Sequence, residues 1–169
     1  MRTYQFVLIV EGADLQSDEM FDAVFEAGCD DALVGCSNGV QFVDFDRKAP
    51  SAGEAVRSAI AALEGLAGVT VVRIAGADLL SISDIATRTG RTRESVRLLI
   101  AGKRGPGGFP APVTDPRNRY RLWRSNDVQR WFAEHYGDQP ICPEAEVVAT
   151  VNAELELRRS GGRVLTAEA

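Results

Sequence analysis

The sequence predicts an α+β protein: an N-terminal βαββαβ sandwich, then two short helices, an extended hairpin and a closing helix, and finally a C-terminal helix. Three observations carry this reading. Short β-branched and aromatic runs alternate with two helically spaced segments through the first 75 residues. Ser and Thr capping signals then recur from residue 81 onward, where helical spacing dominates. Charge is also segregated: residues 1–80 hold 5 Lys/Arg against 13 Asp/Glu, residues 81–135 hold 11 against 5, and residues 136–169 hold 3 against 6.

With 169 residues, of which 45% are hydrophobic and 25% charged, the chain suits one ordinary domain or two small ones and is too short for a multidomain enzyme. No apolar run of about 18 residues exists and no leader with a small-residue cleavage site opens the chain, so neither a membrane span nor export is expected. The three cysteines (Cys29, Cys36, Cys142) have no Cys-x-x-Cys spacing, and there is one His. That pattern argues against a disulfide framework or a structural zinc site, and for a reducing cytoplasm with small buried thiols.

The first unit, residues 1–77, is read element by element. Residues 3–10 (TYQFVLIV) form a buried strand. Ser17 caps a helix reaching Ala27, whose Met20, Phe21, Val24 and Phe25 make an apolar stripe facing a sheet. Residues 31–37 and 40–45 pair across Asn38-Gly39, a dipeptide suited to a two-residue hairpin turn. Ser51 and Glu54 form a capping box for a helix to about Gly65, with Ala55, Ala59, Ile60 and Leu63 inward. Residues 69–75 (VTVVRIA) close the set. The order β, α, β, β, α, β is that of the split-βαβ, ferredoxin-like sandwich, which leaves one sheet face to be covered by another element or a partner.

The second unit, residues 78–137, carries the cations. Ser81 and Asp84 form another capping box, with a staple between Leu80 and Ile85, opening a helix over 82–89 that Gly90 ends. Thr92 caps a second helix over 93–101 with Val96, Leu99 and Ile100 inward. Two short helices across a Gly-containing turn make a helix-turn-helix, whose second helix enters the DNA major groove. Arg93 and Arg97 project together from it, and Thr92 and Ser95 lie near its N-terminus, where a hydroxyl and the helix end suit a phosphate oxygen. Lys103 and Arg104 follow between glycines, which let backbone approach DNA closely. The run is not a phosphate-binding P-loop, because it lacks the Lys-Ser/Thr pair. Residues 109–113 and 120–123 read as two extended segments around a tip at 114–119, a wing. Alternation places Tyr120 and Leu122 on one face and Arg119, Arg121 and Trp123 on the other. Ser125 then caps a helix to His135 with Val128, Trp131 and Phe132 inward. His135 is read as structural or surface, and Trp123, Trp131 and Phe109 as core rather than base-stacking residues.

Residues 79–135 resemble the winged helix-turn-helix module of MerR, AlpA and phage excisionase proteins. The likeness lies in Ser83-Asp84-Ile85-Ala86, Gly90-Arg91-Thr92, Ser95-Val96-Arg97, Gly108 through Pro112 and Leu122-Trp123-Arg124-Ser125. The Phe-Pro-x-Pro stretch is similar to the AlpA branch. The resemblance implies recognition-helix contacts at Thr92, Arg93, Ser95 and Arg97 and wing contacts near Arg117, Arg119 and Arg121. Arg91, Lys103 and Arg104 complete the expected DNA-binding set. In typical members the module stands alone or leads the chain, so the acidic unit before it is a departure.

The last segment, 138–169, is read as a helix over 143–160 with Val147, Val151 and Leu155 inward, suited to the body or a partner helix, and a frayed tail from Gly161. The expected function is sequence-specific binding of double-stranded DNA by a homodimeric bacterial or phage transcription regulator, not an enzyme, with no cofactor or metal. Two alternatives stand beside it. In one, the acidic unit binds a protein partner, as an antitoxin or adaptor would, and the winged helix autoregulates. In the other, Asp30, Asp44 and Asp46 hold Mg²⁺ in a nuclease.

Overall fold

A computed structural model describes residues 1–76 and 78–161 of the chain. The expected α+β class is observed, with six helices and a mostly antiparallel sheet among the described residues. Two compact units are present: Met1–Ala75 joined by the C-terminal chain from Val147, and Gly76–Glu146. No helix among the described residues is long and apolar enough to cross a membrane.

The first unit is built from β1 (Arg2–Gly12), α1 (Asp18–Glu26), β2 (Ala32–Ser37), β3 (Val40–Ala49), α2 (Ala52–Glu64) and β4 (Val69–Ile74). The strands lie in the order β2-β3-β1-β4, and every neighbouring pair is antiparallel. Asn38 (φ 50°) and Gly39 (φ 77°) supply the two left-handed residues of the hairpin turn, so the register runs Ser37 opposite Val40 back to Ala32 opposite Phe45. Strand alternation buries Val43, Phe45, Arg47 and Ala49 of β3 with Leu8 and Val10 of β1 and Val69, Val71 and Ile74 of β4.

Ser17 and Ser51 cap their helices, accepting from the backbone N–H of Met20 and Glu54, but the Glu54 side chain returns no bond to Ser51, so the capping box expected there is only half formed. The buried faces differ from expectation. On α1 only Val24 is buried, while Phe21 and Phe25 are 59% and 64% exposed. On α2 the buried set is Ala55, Val56, Ala59 and Leu63, with Val56 replacing Ile60. Cys36 is exposed rather than buried, whereas Cys29 and Cys142 are buried. Arg47 explains how a cation enters this core. Its guanidinium binds both Asp31 oxygens (2.8 and 2.9 Å), the Gly28 carbonyl (2.9 Å) and Ser58 Oγ (3.2 Å), and stacks on Phe45.

The C-terminal helix α6 (Ala145–Arg159) starts two residues later than the sequence suggests, and its buried stripe is Val148, Val151 and Leu155. Its polar residues close one edge of the sheet. Asn152 accepts from the Ile74 N–H (2.7 Å) and donates to the Ile74 carbonyl (3.1 Å). Arg158 binds both Glu64 oxygens and donates to the Val71 carbonyl, whose own N–H donates to Glu64. Arg57–Glu154 and Arg159–Glu11 pairs add to this seam. Residues 162–169 of the tail expected to fray, and Ala77, lie outside the described residues.

The second unit contains β5 (Leu79–Leu80), α3 (Ile82–Thr89), α4 (Arg93–Ile100), β6 (Trp123–Arg124) and α5 (Ser125–Tyr136). Its core packs Leu80, Ile85, Val96, Leu99, Trp123, Val128, Trp131 and Phe132, with Phe109 against them. Leu80 and Ile85 are both fully buried, as the staple requires, and the full reciprocal capping box forms between Ser81 and Asp84. Gly90 ends α3 in the left-handed conformation (φ 67°, ψ 21°). Ser125 does not cap α5: the capping position is Arg124, without a side-chain bond, and Ser125 is a buried first residue whose N–H donates to the Asp78 carbonyl.

Candidate nucleic-acid interface

The candidate site is assembled on α4 and on the long loop that follows it, residues 101–122. Helix α4 is amphipathic over two turns. Val96 and Leu99 bury its inner face, so Arg93, Glu94 and Arg97 fall on the exposed side. Thr92 Oγ1 accepts from the Ser95 N–H (3.1 Å), which fixes the helix start and leaves Ser95 half-buried. Arg97 is 60% exposed and donates to Glu94 (3.1 Å). No ion pair or hydrogen bond engages the Arg93 guanidinium among the described residues.

Arg91 is placed differently from its neighbours. Its guanidinium pairs with Asp138 (2.8 Å) and lies over the Phe132 and Tyr136 rings at 4.6 and 4.9 Å. It clamps the end of α5 to the inter-helix turn and is not part of the exposed ridge. Arg88, though exposed, is likewise engaged by the chain, donating to the Ile141 carbonyl and the Cys142 sulfur.

The loop is held from below by aromatic side chains. Trp131 Nε1 donates to the Gly107 carbonyl (3.1 Å) and Trp123 Nε1 to the Pro110 carbonyl (3.0 Å). Phe109 meets Trp131, Phe132 and Trp123 edge-on. Lys103 and Arg104 are exposed, their backbone N–H groups tied to the Leu98 carbonyl. The two extended segments expected for a wing do not form a strand pair. One bond from the Val113 N–H to the Leu122 carbonyl (2.8 Å) and one from the Leu122 N–H to Thr114 Oγ1 (3.1 Å) close an irregular loop, and only Trp123 and Arg124 join a ladder, with β5. The expected alternation fails with it: Leu122 is half-buried while Tyr120, placed on the same face, is 81% exposed, whereas Trp123 is fully buried, in keeping with its reading as a core residue. Pro110 and Pro112 lack the N–H groups that a ladder uses.

At the loop tip Arg117 donates to both Asp115 oxygens (3.0 and 2.6 Å), which holds the Asp115 carboxyl below its ordinary range and raises the arginine. Arg119 lies near the Tyr120 ring and Arg121 over Trp123. Of the eleven cations in residues 81–135, Arg88, Arg91, Arg97, Arg117 and Arg130 have polar partners of the chain. The side chains of Arg93, Lys103, Arg104, Arg119, Arg121 and Arg124 make no hydrogen bond or ion pair among the described residues. Tyr120, 81% exposed between two arginines, lies outside the set of site residues expected from the sequence.

In the first unit Asp44 and Asp46 lie on the open sheet face, alternating with buried Val43, Phe45 and Arg47. No group of three or more His, Cys, Asp or Glu residues that could hold a metal ion occurs among the described residues. No family model, no curated protein and no solved structure matches the chain.

Proposed function

We propose that residues 78–137 form a winged helix-turn-helix, behind a ferredoxin-like unit, and that the protein binds double-stranded DNA sequence-specifically as a dimeric transcription regulator. The strand order β2-β3-β1-β4 supports the ferredoxin-like reading. For DNA binding, the observation that carries the reading is the Arg93 guanidinium, unpaired and exposed beside Arg97 on one ridge of α4, in a segment with five further cations whose side chains make no hydrogen bond or ion pair. Arg presents two parallel donors that match guanine O6 and N7, and the remaining cations suit phosphates. The MerR/AlpA-like resemblance of residues 79–135 points the same way. Arg91 is a positioning residue on this reading, because its charge is already engaged by Asp138 and two rings.

Selection of bound sequences from a random duplex pool, followed by fluorescence anisotropy on the recovered site, tests the proposal. An enriched motif is the expected result. Binding no tighter to a selected duplex than to a scrambled one would remove sequence specificity, and no binding at low salt would remove DNA altogether.

A further inference from the structure

The two edges of the sheet are treated differently by the rest of the chain. At the β4 edge, Glu64, Asn152 and Arg158 occupy the outward backbone groups of Val71 and Ile74. At the β2 edge nothing does. The register pairs Ser37 with Val40 next to the two-residue turn, and the Asp46 N–H donates to the Asp31 carbonyl (3.0 Å). Odd-numbered residues 31–37 therefore bond to β3, and Ala32, Val34 and Cys36 turn their N–H and C=O groups outward. No partner engages those groups among the described residues. The strand carries no charge, no Pro and no bulge, the usual devices that blunt an edge.

We propose that this edge is a dimer interface, in which β2 pairs antiparallel with β2 of a second copy of the chain about a two-fold axis at Val34. The outward residues recur at 32, 34 and 36, so the strand is complementary to itself. Ala32 meets Cys36 of the second copy, Val34 meets Val34, and each of the three pairs exchanges two backbone hydrogen bonds. On the open sheet face Leu33, 68% exposed, falls opposite Gly35 of the second copy. Gly35 is already a flat spot, because the Phe42 ring lies where its Cβ would be, 2.3 Å away.

The helix layer fits the same axis. β1 and β2 are both antiparallel to β3, hence parallel to each other, and a right-handed crossover sets α1 over the β2 side of the sheet. Counting round the helix from buried Val24, Phe21 and Phe25 lie about 60° and 100° away, on the side of the β2 edge. Side chains of this size bury about 150–250 Å² each. At 59% and 64% exposure, two copies of Phe21 and Phe25 offer on the order of 400–600 Å². With Leu33 and the paired strands, this reaches the roughly 1,000 Å² that marks a specific interface. The acidic residues Asp18, Asp22 and Glu26, with no cation on α1, repel their counterparts across the axis, so association strengthens as salt screens them.

The interface stands on the first unit alone and is read without DNA, so it holds or fails independently of the proposed DNA binding, which salt weakens. The test is sedimentation equilibrium of the full chain at two salt concentrations, with circular dichroism as a folding control. A dimer that tightens with salt is expected, and Leu33→Lys or Phe25→Glu, both at exposed positions, weakens it by about tenfold or more. Register is tested by oxidising the Val34→Cys variant in a Cys36→Ser background: Cα atoms of a hydrogen-bonded pair lie about 5.5 Å apart, within disulfide reach, so this double variant cross-links. The wild type, whose Cys36 faces Ala32, does not. A monomer at all concentrations, a dimer indifferent to both charge substitutions, or a dimer in which the Val34→Cys variant fails to cross-link would each overturn the proposal.

Discussion

Glu94 gives the sharpest test of the α4 ridge. It sits between the two arginines proposed to enter the groove and pairs with only one of them, at 3.1 Å and with both partners more than half exposed. An exposed i,i+3 pair is worth about 0.3–0.5 kcal/mol, and Arg97 gives it up to reach DNA. Arg93 gives up nothing. A bidentate arginine–guanine contact is worth about 1–3 kcal/mol, so Arg93→Ala is expected to cost about 5- to 150-fold in affinity. Arg97→Ala costs less by the pair energy, roughly a factor of two. Glu94→Gln, which removes both the competing acid and a negative charge near phosphate, is expected to tighten binding by about twofold. Fluorescence anisotropy on the selected duplex, at one fixed salt concentration, measures all three. Equal losses for Arg93→Ala and Arg97→Ala would show that Glu94 does not compete, and weaker binding by Glu94→Gln would refute the reasoning outright.

The remaining predictions concern salt, packing and thiol access. If four of the six cations whose side chains make no hydrogen bond or ion pair reach phosphates, the slope of log affinity against log salt is about −3.6, a loss of about 150-fold between roughly 50 and 200 mM salt, and Arg119→Ala lowers the slope by about 0.9 for all sequences alike. Trp123→Ala empties the centre of the second core and is expected to cost about 3–5 kcal/mol by denaturant unfolding. Asp31→Ala leaves the Arg47 guanidinium largely buried without its carboxylate and is expected to cost about 3 kcal/mol or more in the same assay, whereas a loss under about 1 kcal/mol would mean that solvent reaches Arg47. Cys36, exposed in the single chain and placed opposite Ala32 in the proposed dimer, should react rapidly with a thiol reagent at about pH 8 when the chain is diluted to monomer and more slowly in the dimer. Cys29 and Cys142, whose thiols burial pushes above their ordinary value, hold less thiolate at any pH and should react only on unfolding.

What the sequence makes legible is local. Ser17, Ser51, Ser81 and Thr92 each bond a backbone N–H three residues on, and Asn38-Gly39 and Gly90 take the left-handed conformations assigned to them, because these choices are decided within four residues. What it hides is direction. Helical spacing identifies an apolar face on α1 but cannot say that Phe21 and Phe25 overhang the sheet rather than cover it. On α2, spacing favours Ile60. The structure buries Val56 and leaves Ile60 half-covered beside Val151 and Leu155, residues about 90 positions away. The two extended segments expected of the wing do not pair as strands, because Pro110 and Pro112 lack the donors that a ladder uses. Among the site residues, Arg93 and Arg97 follow from helical period alone. Arg91 reads as a surface residue only because Asp138, its partner, lies 47 positions on in a segment with no periodic signal.

The charge partition gains meaning when the two proposals are taken together. Residues 1–80 carry eight more acids than bases, so the proposed strand-paired interface joins units that repel each other and repel DNA phosphates. Backbone hydrogen bonds and apolar area therefore have to supply the association, and the uncharged β2 with Phe21, Phe25 and Leu33 is where such terms are available. The same repulsion works in favour of specificity, because an acidic unit in each copy opposes non-specific lodging of the duplex against anything but the basic segment. Raising salt should then separate the two equilibria, tightening the protein pair while loosening the DNA complex. Measured on one preparation, opposite signs of these two salt slopes would tie the segregated charge to function, and parallel slopes would show that the acidic unit has no part in either association.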